Sequence, residues 1–182
     1  MPSNIEIKAK AMPVSLSRPM VKKTTKANDW NNQIKIARKL SNREEKLIQE
    51  DTFFVCPEGR LKLREQKAKE DYLIFYNRDN KSGPKHSEYF TYPTTDAKAL
   101  KSLLSKSLGK TKIVKKKRLV FFVGQTRIHF DEVQKLGKFI EIEVCLKKNQ
   151  TRLSGFDIAE RIIKALNINK KDLVKSAYAD LL

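Results

Sequence analysis

The chain has 182 residues, enough for one domain with its own core. Hydrophobic residues at 40% and charged residues at 33% fit a charge-rich soluble globular protein, and no apolar run approaches the length of a membrane-spanning helix. The net charge of +18 calls for an anionic partner, whether nucleic acid, phosphate or an acidic membrane surface.

The N-terminal stretch NIEIKAK, Asn4 to Lys10, alternates Ile5, Ile7 and Ala9 with Glu6, Lys8 and Lys10. It reads as a strand with three charges on one face. No signal-peptide core precedes it, so a cytoplasmic location is expected. Residues 11–29 contain two prolines, several basic residues and no period, which predicts a flexible basic loop. From Trp30, apolar residues recur at spacings of three and four through Ile34, Ala37 and Leu40. This predicts a helix with Asp29 as N-cap, ending near Ser41 and Asn42.

TFFVCPEGRLKLREQ then predicts a hairpin turning at Pro57, Glu58 and Gly59. DYLIFYNR and HSEYFTYP are two more strands, separated by the loop DNKSGPK. A second helix starts near Asp96, with Ala97, Leu100, Leu103, Leu104 and Leu108 on one side and Gly109 closing it. Three further strands follow, KIVKKKRLVFFVG, RIHFDEV and KFIEIEVCL. Ser154 and Asp157 form a capping-box pattern ahead of a third helix, and a last helix carries Leu173, Val174, Ala177, Tyr178 and Leu181. The order predicts an α+β layout around a large antiparallel sheet or barrel. Cys56 and Cys145 have neither metal-knuckle spacing nor the number for a disulfide framework, and buried thiols are expected.

Charges alternate on strand after strand. Lys62 and Arg64 oppose Leu61 and Leu63; Lys116 and Arg118 oppose Ile113, Lys115, Lys117 and Leu119; Arg127, His129 and Asp131 oppose Ile128 and Phe130. Glu141 and Glu143 oppose Ile140, Ile142 and Val144, and Arg78 shares a face with Tyr76 and Ile74. The signs are segregated by strand, which an ordinary solvated face avoids because like neighbours repel. If the helices cover the apolar face and the sheet closes, the charges line an interior suited to a polyanion. Lys and Arg donate to phosphate oxygens. Carboxylates serve there only through a bridging cation, and Glu141 and Glu143 can put two oxygens on one ion, with Asp131 and Glu6 as further ligands. His129, on the Asp131 face, is either a hydrogen-bonded interior residue or, less favoured, a general base.

The runs NIEIKAK, QEDTFF, GRLKLRE, LIFYNR, VKKKR, RIHFDEVQKLGKFIEIEV and SAYADLL, in that order, resemble the CYTH family, the triphosphate tunnel metalloenzymes, and within it the class IV adenylyl cyclase-like branch. The resemblance spans nearly the whole chain apart from residues 11–29. It implies a single domain over 1–182 with a closed eight-stranded antiparallel β-barrel, a triphosphate tunnel, and helices packed outside. It implies Mg²⁺ or Mn²⁺ as cofactor and a triphosphate small molecule as ligand: tripolyphosphate, ATP or thiamine triphosphate. Carried over by position, it makes Lys8, Lys62, Arg64, Arg78, Lys116 and Arg118 the phosphate-binding set, with Lys115 or Lys117 as alternatives to Lys116. Glu6, Asp131, Glu141 and Glu143 become the metal acids, with Glu6, Glu141 and Glu143 catalytic. One departure stands out: the family signature is Glu-x-Glu-x-Lys, and Asn4 takes the first Glu position.

Hydrolysis of a triphosphate is the leading expectation. Formation of cyclic AMP from ATP and binding without turnover are the alternatives, and Asn4 speaks for the last. A nucleic-acid partner fits Arg18, Lys22, Lys23 and Lys26 and the pI of 9.9. It is disfavoured, because aromatic residues do not interleave with the cations as a stacking platform.

Overall fold

In the computed structural model, residues 15–16, 20–78, 87–174 and 176–182 are described. In chain order the elements are β1 (Ser15–Leu16), β2 (Met20–Lys26), α1 (Trp30–Leu40), β3 (Arg43–Phe54), β4 (Arg60–Gln66), β5 (Asp71–Arg78) and β6 (Ser87–Thr94). They continue with α2 (Ala97–Ser107), β7 (Lys110–Val123), β8 (Thr126–Val133), β9 (Gly137–Cys145), α3 (Arg152–Ala165), β10 (Leu173–Val174) and α4 (Tyr178–Leu181). The strands form one antiparallel sheet in the order β1-β6-β5-β4-β3-β7-β8-β9-β2-β10. No helix among the described residues is long and apolar enough to cross a membrane.

The period-two alternation puts apolar side chains on one face of this sheet, and the helices bury them. α1 and α3 cover Phe121, Ile128, Phe130, Ile140, Ile142 and Val144 with Ala37, Ala159, Ile162, Ile163 and Leu166. α2 covers Phe54 and Leu63 with Ala97, Leu100 and Leu104. Gln33 ties α1 to the end of α3, its amide donating to the Leu166 carbonyl at 3.1 Å and to Asn28 Oδ1 at 2.7 Å. In the β3–β4 turn, Gly59 has φ +65°, and a Cβ there would lie 2.8 Å from the Tyr76 carbonyl oxygen, so only glycine fits.

The opposite face carries the alternating charges and curves into a trough. In a flat sheet β4 and β9, four places apart, would be separated by about 19 Å. Yet the four-residue helix α4 touches both ends of this span. Its Asp180 pairs with Arg60 of β4 at 2.8 Å, and its Tyr178 ring lies 5.1 Å from that of Phe139 on β9.

Several expectations are corrected here. The sheet is not a closed eight-stranded barrel. Closure would require β6 to pair with β2, but those edges carry β1 and β10 instead, and among the described residues the two ends do not meet. Alternation specifies which face a side chain takes; it is silent on whether the last strand pairs with the first. Within 11–29, expected as loop, Met20–Lys26 is a seven-residue strand paired with β9. β3 begins at Arg43, well before the hairpin signal at Thr52. α3 begins at Arg152, with the Thr151 hydroxyl accepting from the Ser154 N–H at 3.2 Å. Leu173 and Val174 belong to β10, which leaves only four residues to the last helix. Asp29 stands at the N-cap of α1 without capping it by its side chain; its N–H donates to Gln33 Oε1 at 3.3 Å. Cys56 and Cys145 are free thiols and half-buried rather than buried.

Candidate functional site

Two charge clusters share the trough. The first centres on Asp51, whose side chain points inward from β3 between β4 and β7, at 2% exposure. Its Oδ1 accepts from Arg64 Nε at 2.7 Å. Its Oδ2 accepts from Arg64 Nη2 at 2.8 Å, Lys62 Nζ at 2.9 Å and Lys116 Nζ at 2.9 Å. Three cations therefore converge on one carboxylate. Burial pushes the Asp51 carboxyl up, but Arg64, Lys116 and Lys62 outweigh it and hold it well below the usual carboxylate range. The cations show the complementary strain. Burial, then the Arg64 charge, push the Lys62 ammonium well below its ordinary range against the pull of Asp51. Burial, partly offset by Asp51, lowers Lys116 to about 8. This end of the trough holds more positive charge than its own carboxylate neutralises.

The second cluster lies on β7, β8, β9 and β2. Arg118 Nε and Nη2 donate to the two oxygens of Asp131 at 2.6 and 2.5 Å, and Nη2 also donates to Glu141 Oε2 at 2.8 Å. The Tyr178 hydroxyl donates to Asp131 Oδ2 at 2.9 Å. On β2, Lys22 lies opposite Glu143 in register, and its Nζ is 3.0 Å from Glu141 Oε2 and 3.3 Å from Glu143 Oε1. Desolvation opposes that ammonium, but Glu141 and Glu143 raise it above its ordinary range. His129 points its Nδ1 at Glu141 and its Nε2 at Glu143, each at 3.6 Å, longer than a hydrogen bond. Burial, then Arg118, lower its pKa, so the imidazole is neutral at neutral pH.

Of the residues expected from the sequence, the structure brings Lys62, Arg64, Lys116, Arg118, Asp131, Glu141 and Glu143 onto one face. Lys115, weighed as an alternative to Lys116, points to the other face, where it pairs with Glu50 at 3.0 Å. Arg78 lies at the end of β5. Glu6 and Lys8 lie outside the described residues, with the Asn4 signature. The strand that flanks Glu141 and Glu143 is β2, whose inward residues are Lys22, Thr24 and Lys26. Sequence reasoning missed Asp51, Lys22 and Tyr178. Asp51 stands inside QEDTFF on the same face as Gln49 and Phe53; Lys22 and Thr24 alternate with Val21 and Lys23 in a segment whose composition predicts a loop.

The resemblance implies a divalent ion, and His129, Glu141 and Glu143 offer ligand atoms within 4.8 Å of one another. The donor set does not fit one. Glu141 Oε2 already accepts from both Lys22 and Arg118, and Asp131 is held by Arg118 and Tyr178. A divalent ion there would also be repelled by the Lys22 ammonium and the Arg118 guanidinium.

The model of the CYTH domain family matches residues 20–178. A search of curated proteins returns no match. Among solved structures, a protein of Pyrococcus horikoshii OT3 is similar at TM-score 0.81 and 18% identity, covering 90% of this chain and 99% of its own. A candidate adenylate cyclase of Vibrio parahaemolyticus follows at TM-score 0.71 and 18% identity, over 91% of this chain and 98% of that one. A candidate adenylyl cyclase of Hippeastrum with a dominant triphosphatase activity superposes at TM-score 0.62 and 15% identity, over 88% and 91%. At these identities the likeness is one of fold.

Proposed function

Because the chain belongs to the CYTH domain family, we propose that its trough binds the triphosphate group of a small molecule, with Lys62, Arg64 and Lys116 as the main phosphate contacts. Members of the family bind triphosphate substrates and are typically metal-dependent. The observation that carries the proposal is the convergence of two buried lysines, Lys62 and Lys116, and the half-buried Arg64 on Asp51. An oxyanion brought there supplies the charge that the cluster lacks and gains charge-assisted hydrogen bonds. The Mg²⁺ or Mn²⁺ expected from the resemblance has no part in this reading, since Asp131, Glu141 and Glu143 are already bridged by Arg118 and Lys22.

Hydrolysis is a second reading, supported by His129 facing both Glu141 and Glu143. In it, water attacks the terminal phosphorus, gives its proton to the imidazole or to Glu143, and the bridging P–O bond breaks to release pyrophosphate from tripolyphosphate. Isothermal titration with tripolyphosphate in EDTA, followed by a phosphate-release assay, separates the two. Binding of one ligand per chain without release supports a binder, release supports a hydrolase, and neither sinks the proposal. ATP with a cyclic AMP assay in the same series tests the cyclase alternative.

The binding reading predicts a pH dependence. Lys116 titrates at about 8 in the free protein, and a bound polyanion raises that value. Binding is therefore tight below pH 8 and weakens as the ammonium loses its proton above it. ATP, whose phosphates are fully ionised in this range, should bind about tenfold more weakly at about pH 9.5 than at about pH 7.5. A flat profile, or the same profile in Lys116→Met, would remove Lys116 from the site.

A further inference from the structure

We infer that Lys22 is a built-in cation: its ammonium stands between Glu141 and Glu143 where a divalent ion would stand, and this end of the trough is assembled without metal. The placement follows from the backbone. β2 and β9 are antiparallel, with Lys22 opposite Glu143 and Thr24 opposite Glu141, so the Lys22 side chain lies over the carboxylate pair. Its Nζ is 3.0 and 3.3 Å from the two glutamates, the same residues that together with His129 form the cluster of potential cation ligands. The strand supplies no carboxylate of its own at its inward positions, which are Lys22, Thr24 and Lys26.

The substitution changes what the site can do. An ammonium is monovalent, tethered and a donor of three hydrogen bonds. Two of those donors suffice for Glu141 and Glu143, and the side chain remains 34% exposed. The third is then within reach of an oxyanion entering the trough. A divalent ion would bridge carboxylate to phosphate through its own coordination sphere; Lys22 makes the same bridge by hydrogen bonds, with no dependence on the metal concentration. The inference concerns the Glu141 and Glu143 end alone and holds whether or not a triphosphate binds at Asp51.

The test is a Mn²⁺ titration of the full chain, free of phosphate, read by the electron paramagnetic resonance signal of unbound Mn²⁺. The wild type should show no stoichiometric uptake up to about 1 mM, whereas Lys22→Gln should take up one ion per chain with affinity raised at least about tenfold. That uptake should vanish when Glu143→Gln is added. One ion bound by the wild type and lost in Glu143→Gln overturns the inference. So does absence of uptake in both the wild type and Lys22→Gln, because Lys22 is then not what keeps the ion out. If Lys22→Gln fails to fold by circular dichroism, the wild type compared with Glu143→Gln decides alone: uptake sensitive to Glu143 overturns the inference, and no uptake supports it.

Discussion

Asp51→Asn is expected to cost about 3–5 kcal/mol of folding stability, the range for removing one partner of a buried ion cluster. Asp51 is 2% exposed, and its two oxygens accept four hydrogen bonds from Lys62, Arg64 and Lys116. Asparagine keeps the volume but removes the charge, and its NH₂ group presents donors to donors. The buried Lys62 and Lys116 and the half-buried Arg64 then lose the carboxylate they share. The same variant tests the site from the ligand side, because the unmet positive charge is what a polyanion would neutralise. Urea unfolding with and without tripolyphosphate should show a larger ligand-induced gain in Asp51→Asn than in wild type, since the gain grows with affinity as RT ln(1 + [L]/Kd). A loss below about 1 kcal/mol would show that the cations do not depend on Asp51. Equal gains in the two proteins would place the polyanion elsewhere.

Strand alternation made the charged face legible, since Lys62 and Arg64, Lys116 and Arg118, and Glu141 and Glu143 each stand two residues apart, and a period of two cannot be hidden by the fold. It also suggested sign segregation, which holds on β4, β7 and β9 but fails on β8, where Arg127 and Asp131 share a face. Pairing across strands is where the sequence falls silent. Arg118 meets Asp131 because β7 and β8 are in that register, and Asp51 meets Arg64 for the same reason on β3 and β4. A single sequence does not state register, so the ion pairs could not be read from it, and neither could the difference between a closed sheet and an open one. Lys22 was lost to a different cause. Pro13 and Pro19 lie just ahead of it, and the run MVKKTTK is rich in lysine and poor in large apolar residues, so local composition argued for loop. Tertiary pairing with β9 overrides that preference, because the carboxylates of β9 need a cation and β2 carries it.

Arg118→Met is the second substitution with a large expected effect. Methionine keeps much of the aliphatic stem and packing while removing the guanidinium. Asp131 is 0% exposed and loses a bidentate partner, and among the described residues it keeps the hydrogen bond from the Tyr178 hydroxyl. Glu141 retains Lys22. A loss of about 3–5 kcal/mol is expected in urea unfolding near neutral pH. Arg118→Lys, which keeps the charge but serves two carboxylates with a single ammonium, should fall between the wild type and Met. The pH dependence has a definite sign. Burial raises the Glu141 carboxyl, but Lys22 and then Arg118 outweigh it and hold it well below the ordinary 4.5. A depressed carboxyl contributes stability that is fully present above its unfolded pKa and is lost as pH falls through the folded one. Arg118→Met removes part of that depression, so the gap between the two proteins should be widest above pH 4.5 and narrow on acidification below it. A double-mutant cycle with Asp131→Asn completes the case. Once Arg118 is gone, Asp131→Asn should cost less than it does in the wild type, or even stabilise, because it removes a buried charge that has lost its partner. If the costs of Arg118→Met and Asp131→Asn simply add, the two residues act independently, and the ion pair does not hold β7 and β8 in the register that faces Glu141 into the trough.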